Sequence, residues 1–547
     1  MTAADDRPDP AYEGLRAAVD RRIASWTETA VARRVWERDP TVWPAAPPAD
    51  VRDRLGWLDA PARARADREA YVALRESARE DGIETVVLLG MGGSSLAAQV
   101  FGTAFDRPPG APDLRVLDST HPDRVRAVRL GLALGRTLFL VASKSGTTLE
   151  PNAMLAYFWQ EVAAAGVAPG RQFVAITDPG TPLERLGRER AFRAVIPGAP
   201  DVGGRYSALT AFGLVPAALL GVDLDRLLDR AETMVRDCGP ERPPADHPGL
   251  RLGAFLGELG LAGRDKVVLA ASPRFCAFPD WAEQLLAEST GKRGTGLVPV
   301  PAEVRPLDPP RGADDRVWIE IAGTGEPPIF PAGPGTPPHR RFSLDDPYDL
   351  GAEFFRWEFA TAMAGAILGI DPFDQPDVEL AKELARRRMG AGKARTPPPP
   401  ASPSAGPDGI PAALAGWMAA ARGGDYLAIQ AYLDPAPAIA EGLAALRGAL
   451  RERLRLPTTL GFGPRFLHST GQLHKGGPPS GLFLQLVDSP RHDVAVPGAT
   501  YSFGEIVRAQ AEGDAEALRR RDRRLLVLEL GVDPVAGLRR VTEAVRG

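Results

Sequence analysis

Two periods of hydrophobic spacing succeed one another along the chain, and the places where the period changes mark its organisation. From Tyr12 to about Arg79 apolar residues recur three and four positions apart, as in AYEGLRAAVDRRIASW and DVRDRLGWLDAPARARADREAYVALRESARE, which predicts helices. Trp26, Trp36, Trp43 and Trp57 belong to this region and read as packing residues. At Thr85 short apolar runs begin. TVVLL (Thr85–Leu89), LRVLDS (Leu114–Ser119), the run in RTLFLVASKSGTTLEPNAML and FVAITD (Phe173–Asp178) each predict a strand. Strands alternating with helices over Thr85–Gly221 imply a doubly wound, mainly parallel α/β sheet, with ligands outside the carboxyl ends of its strands.

A helical connection over Asp223–Gly260 leads to further strands, KVVLAAS (Lys266–Ser272) and RVWIEIAG (Arg316–Gly323), with EPPIFPAGPGTPPHRR as a proline-rich loop. Asp349–Arg387 is strongly amphipathic, its first helix running to about Ile370. The turn Asp371-Pro372-Phe373-Asp374-Gln375-Pro376 opposes continuation. Residues 390–409, GAGKARTPPPPASPSAGPDG, form a linker. Beyond it come two helix-like stretches, ALAGWMAAARGGDYLAIQAYL and IAEGLAALRGALRERL, two apolar strands around FGPRFLHSTGQLHKGGPPS, and a last strand, RLLVLEL. At 547 residues the chain exceeds one ordinary core. The expected division is an N-terminal helical segment (1–82), two α/β domains (83–250 and 251–389), the linker (390–409) and a C-terminal α+β portion (410–547).

Charge and cysteine content narrow the function classes. A net charge of −4 with acids and bases nearly balanced gives no electrostatic footprint for nucleic acid or an anionic membrane surface. Cys238 and Cys276 are too few for a disulfide framework, and no close Cys/His cluster suggests zinc, so no metal is expected. MTAADDRPDP does not read as a signal peptide, and no apolar run approaches the ~18 residues of a membrane span. A reduced, cytoplasmic setting fits.

Five stretches carry candidate chemistry. Gly90-Met91-Gly92-Gly93-Ser94-Ser95-Leu96 joins a strand to a helix start, where exposed N–H groups favour an anion. It is neither a P-loop nor a dinucleotide fingerprint, and tight strand–helix packing is the plain alternative. Ser143, Lys144, Ser145, Thr147 and Thr148 set four hydroxyls and an ammonium directly after a strand, a composition suited to a phosphate monoester. The plain alternative there is an N-cap with Ser/Thr turn bonds. In DVGGRYSALTAFG two glycines present Arg205, a charged planar fork suited to an oxyanion, or a turn with a surface ion pair. Glu288 ends an apolar helical stretch and is either a partly desolvated base or a solvated helix glutamate. In the C-terminal portion Arg465, His468, Ser469, Thr470, Gln472, His474 and Lys475 crowd between two strands.

Taken together these strings resemble the phosphoglucose isomerases over most of Thr85–Arg387. WERDPTVW and FGPRFLHSTGQLHKGGP are most similar to the isomerase half of the fused bacterial transaldolase–phosphoglucose isomerases. No transaldolase-sized portion precedes them, so the resemblance implies the isomerase activity alone, with no cofactor. It implies a fold of two sugar-isomerase (SIS) domains. It also assigns roles: Ser94, Ser143, Lys144, Ser145, Thr148 and Glu150 to the phosphate-binding side, Arg205 to the reacting carbons, and Glu288, in AESTGK, to the base. FDQPDVELAK carries over Gln375 and Lys382, seven positions apart. The family's ring-opening histidine motif is missing between Glu288 and Gln375. HSTGQLHKGG is similar to it, which makes His468 the candidate from a different place in chain order and His474 the second choice.

The expected reaction is the interconversion of D-glucose 6-phosphate and D-fructose 6-phosphate through a cis-enediol. His468 and Lys382 would open the ring, Glu288 would shuttle a proton between C2 and C1, and Arg205 would stabilise the enediolate. Two other readings stand beside it: an isomerase that also accepts mannose 6-phosphate, and a non-catalytic sugar-phosphate regulator. The resemblance further implies a homodimer, and leaves open a functional association with a separate transaldolase.

Overall fold

The computed structural model describes residues 13–301, 315–330, 337–377 and 409–547. The amphipathic N-terminal stretch forms helices Glu13–Glu28, Val31–Trp36, Pro48–Arg54 and Ala60–Glu80. Its tryptophans pack as the spacing implies. Trp43 and Trp57 are fully buried. The Trp43 indole N–H donates to the Ala362 carbonyl and that of Trp36 to the Cys238 carbonyl, so the segment is stitched to helices beyond the first sheet.

Strands β1 (Thr85–Leu89), β2 (Asp113–Leu117), β3 (Thr137–Ala142), β4 (Phe173–Thr177) and β5 (Ala194–Pro197) form a parallel sheet in the order β2-β1-β3-β4-β5. Alternation along β1 divides the core between its two faces. Val86 and Leu88 join the large core under the N-terminal helices. Val87 and Leu89 face the opposite way, toward Phe158 and, from the C-terminal portion, Phe503 and Ile506. Strands β6 (Lys266–Ala271), β7 (Val298–Pro301), β8 (Arg316–Gly323) and β9 (His339–Leu344) form a second parallel sheet, β7-β6-β8-β9. The helix Leu350–Leu368 packs beside it and stops at Gly369, whose positive φ of 68° ends it close to the expected Ile370.

The C-terminal portion, expected as α+β, alternates strand and helix throughout. Strands β10 (Tyr426–Tyr432), β11 (Thr458–Phe462), β12 (Gly481–Val487) and β13 (Arg524–Glu529) build a third all-parallel sheet, β11-β10-β12-β13. Apart from Gln430 and Gln485 its central strands are apolar on both faces, as covered parallel strands require, and β10 is a strand where the spacing of Leu427, Ala428, Ala431 and Tyr432 predicts a helix. One face holds a core of its own, and the other shares a core with the second sheet, where Val268 and Trp318 meet Tyr426 and Phe483. The crossover from β11 to β12 carries two short turns, Arg465–His468 and Gly471–Gly476. It reaches the carboxyl end of the first sheet. Both cysteines are free. Among the described residues no helix is long and apolar enough to cross a membrane. The 390–409 linker lies outside the described residues except for Gly409.

Candidate active site

Three loops from three parts of the chain close on one point, and glycine lets them. A Cβ on Gly93 would fall 2.0 Å from the Gly204 carbonyl oxygen, and one on Gly92 2.4 Å from that of His468. Gly92 also has φ 55°. A side chain at either position would push these loops apart. The glycine-rich turn therefore serves close approach of two other loops, and Ser94 stands at its end, half-buried.

After β3, Ser143 Oγ donates to Thr148 Oγ1 (3.0 Å), and the hydroxyls of Ser145 and Thr147 are paired at 3.0 Å. The helix Leu149–Ala164 begins here with Thr148 as its N-cap, whose own side chain makes no capping bond, while the Thr147 amide donates to Ser145 Oγ (3.3 Å) in one serine turn. The hydroxyls thus pair with one another at a helix start that Thr148 leaves uncapped. That arrangement suits an anion better than a capping motif. Lys144 departs from expectation: its ammonium is engaged by Asp178 Oδ2 (2.5 Å) and the Ala199 carbonyl (2.8 Å), which ties the loop to the end of β4. The carboxylate after the neighbouring strand draws it there, so its charge does not join the hydroxyls.

Arg205 projects from the turn Gly204–Tyr206 and is buried, with every guanidinium nitrogen engaged. Nε donates to Ser289 Oγ (2.8 Å), one terminal nitrogen to Gln375 Oε1 (2.8 Å), and the other to the carbonyls of Pro372 (2.7 Å) and Asp374 (2.9 Å). The nitrogen that meets Gln375 lies 3.1 Å from Glu288 Oε1. Glu288 is 8% exposed at the end of helix Phe278–Thr290, which disposes of the solvated-glutamate alternative. Its other oxygen accepts from Gln284 Nε2 (3.0 Å), which also donates to the His468 carbonyl (2.8 Å). Carboxylate, guanidinium and histidine segment are therefore linked through direct bonds.

His468 Nε2 lies 2.8 Å from Glu150 Oε1, and that same oxygen accepts from Gln510 Nε2 at 2.6 Å. Burial pushes the Glu150 carboxyl up, but the positive charge available to His468 and the hydrogen bonds around it outweigh this and hold it below the usual range. His474 goes elsewhere. It is buried among Tyr426, Phe466 and Phe483 with its Nδ1 3.1 Å from Gln430, and burial holds its pKa well below the ordinary imidazole value. Of the two candidate histidines the structure brings only His468 to the carboxylates. Lys382 lies outside the described residues.

A family model described as phosphoglucose isomerase matches residues 76–297. A protein of Haloarcula marismortui named a probable glucose-6-phosphate isomerase is 36% identical over 342 residues, 55% of this chain and 77% of its own length. The chain belongs to the phosphoglucose isomerase family. A glucose-6-phosphate isomerase of Symbiobacterium thermophilum is 31% identical over 395 residues, 61% of this chain and 86% of its own. The crystal structure of a glucose-6-phosphate isomerase from Chlamydia trachomatis shares the fold, with a TM-score of 0.55 at 20% identity over 71% of this chain and 88% of that one.

In this phosphoglucose isomerase family chain the matched stretch contains Glu150, Arg205 and Glu288, while Gln375, His468 and Gln510 lie beyond it. Sequence reasoning missed two residues of the site. Gln284 carried a usable signal, because it stands four positions before Glu288 on one helix and so shares its face. Gln510 carried none: it is one polar residue on the amphipathic helix Phe503–Arg520, and only the fold sets it against Glu150.

Proposed function

We propose that this site interconverts D-glucose 6-phosphate and D-fructose 6-phosphate, with Glu288 as the base. The 3.1 Å approach of Arg205 to Glu288 carries the reading. A buried carboxylate beside a fully engaged guanidinium sets a proton acceptor next to fixed positive charge, as proton transfer next to a developing enediolate requires. The hydroxyls of Ser143, Ser145 and Thr148, with Ser94, take the phosphate, which supplies binding energy remote from the reacting carbons. His468, oriented by Glu150, moves the proton that opens the ring, with Lys382 assisting. Glu288 carries a proton between C2 and C1. Arg205 and Gln375 face the oxygens on which negative charge builds.

To this reading we add the cytoplasm as location, a homodimer as assembly and a functional association with a separate transaldolase, which size-exclusion chromatography and co-purification test. The deciding experiment is a coupled assay of fructose 6-phosphate formation. Glu288→Gln should lower turnover roughly 10²–10⁴-fold while sugar-phosphate affinity stays close to that of the unaltered protein. Turnover at the original rate in that variant would overturn the assignment. Saturable binding without any turnover in the unaltered protein would favour the regulator reading.

A further inference from the structure

Lys292, four positions beyond Glu288, is a buried cation to which the reaction described above gives no task. Burying an ammonium is costly unless its donors are met. Here they are met by one turn. Nζ donates to the Asp371 carbonyl and lies 2.7 Å from Asp374 Oδ1.

That turn, Asp371–Gln375, is the one whose other side grips Arg205 through the carbonyls of Pro372 and Asp374 and the amide oxygen of Gln375. Five residues of backbone are thus held between two cations that share no hydrogen bond. Burial, and then repulsion from Arg205, bring the Lys292 ammonium down to about 8, with Asp374 and Asp371 opposing. On its far side lies a cavity of about 500 Å³, walled in part by Asp377, Lys475 and Arg523. Among the described residues, Lys292 is the side chain that bonds the turn from the cavity side.

We infer that Lys292 is a positioning residue for the Arg205 guanidinium, acting through the Asp371–Gln375 turn; this rests on the reading of Arg205 as the group that meets the enediolate charge. Phe373, packed on Trp43 and Tyr206, keeps the turn in the core, but without Lys292 the carbonyls of Pro372 and Asp374 lose the bond that fixes their direction, and the guanidinium loses its aim while keeping its charge.

The test compares two ligands by calorimetry at pH 7: a five-carbon sugar-acid phosphate, whose carboxylate stands where the enediolate charge would develop, and the corresponding alditol phosphate, which lacks that charge. Lys292→Met should weaken the acid about 10- to 100-fold, the weight of one charge-assisted hydrogen bond, and the alditol less than about twofold on the same scale. Lys292→Arg, which keeps charge and donors, should restore the preference for the acid. Should Lys292→Met fail to fold, Asp374→Asn, which removes the same ion pair, should give the same selective loss. Equal loss of both ligands, or none, would overturn the inference. Turnover of glucose 6-phosphate by the unaltered protein separates the two readings: selective acid binding that depends on Lys292 but comes without turnover sinks the isomerase assignment alone, whereas no preference for the acid sinks both.

Discussion

Nε2 of His468 and Oε1 of Glu150 stand 2.8 Å apart across 318 positions of chain. The crossover after β11 thus delivers a histidine onto the first turn of the helix that follows β3. If this pair opens the ring and Glu288 moves the carbon-bound proton, the two steps separate by mutation. His468→Asn should slow both anomerisation of glucose 6-phosphate, followed by NMR exchange, and isomerisation by about 10²–10⁴-fold. Glu288→Gln should slow isomerisation alone, and His474→Gln neither. Anomerisation at the original rate in His468→Asn would remove the histidine from its role.

The same pair sets an acid limb. The Glu150 carboxyl is depressed in the folded protein, so its stabilisation is present above the ordinary carboxyl range near 4.5 and is lost as pH falls through the folded value. Glu150→Gln should therefore flatten the loss of stability below about pH 4.5, read from urea denaturation midpoints. An unchanged acid slope would show that the pair contributes nothing to that limb.

How much of this was legible follows from burial. Among the strands read from the chain, β1, β3, β6 and β8 are central, covered on both faces and therefore continuously apolar, while β2 and β13 were legible at sheet edges from their Leu and Val residues. Of those missed, β5, β7 and β9 lie at sheet edges, where Pro197, Pro299 and Arg340 are tolerated and the apolar signal breaks, whereas β10 is central and was hidden because Leu427, Ala428, Ala431 and Tyr432 recur at helical spacing. The site divides in the same way. Arg205 and Glu288 sit in strings with a recognisable composition, and His468 was found through a resemblance of motif. Its pairing with Glu150, and that of Gln510 with the same carboxylate, is made by the contact of the third sheet's helices with the first sheet, and no local pattern encodes that contact. Lys144 misled because composition gives a side chain's charge without its partner, Asp178.

The glycine contacts predict a coupled loss. Gly93→Ala would place its methyl 2.0 Å from the Gly204 carbonyl, so one of the two turns must move. The expected cost is about 1–3 kcal/mol of stability, as for other overpacked sites, together with a fall in turnover, since Gly204 precedes Arg205. Gly102→Ala, on an exposed face of helix Leu96–Ala104 with only a 3.4 Å contact to Leu114, is the control. It should leave turnover unchanged and stabilise by up to about 1 kcal/mol. Equal turnover in Gly93→Ala would mean that the approach of the two turns is not needed to aim the arginine.

A second buried imidazole gives a pH dependence of opposite origin. His247 is fully buried, and its Nδ1 accepts from the Leu250 amide (3.1 Å) to cap the helix Pro248–Leu261. Burial lowers its pKa to about 3, against backbone hydrogen bonds that raise it. A histidine kept neutral in the folded state and free to protonate when unfolded means that the unfolded chain binds more protons between about pH 6.5 and 3, so folding weakens as pH falls through that window. The slope approaches about 1.4 kcal/mol per pH unit. Asparagine at this position retains a capping oxygen and does not titrate. His247→Asn should be the less stable protein at pH 7, where it loses the ring's packing on Phe359, and the gap should narrow by about 2 kcal/mol on going to pH 5. Urea denaturation at the two pH values measures it, and a gap that stays constant would mean that His247 takes up its proton as readily in the folded chain as in the unfolded one.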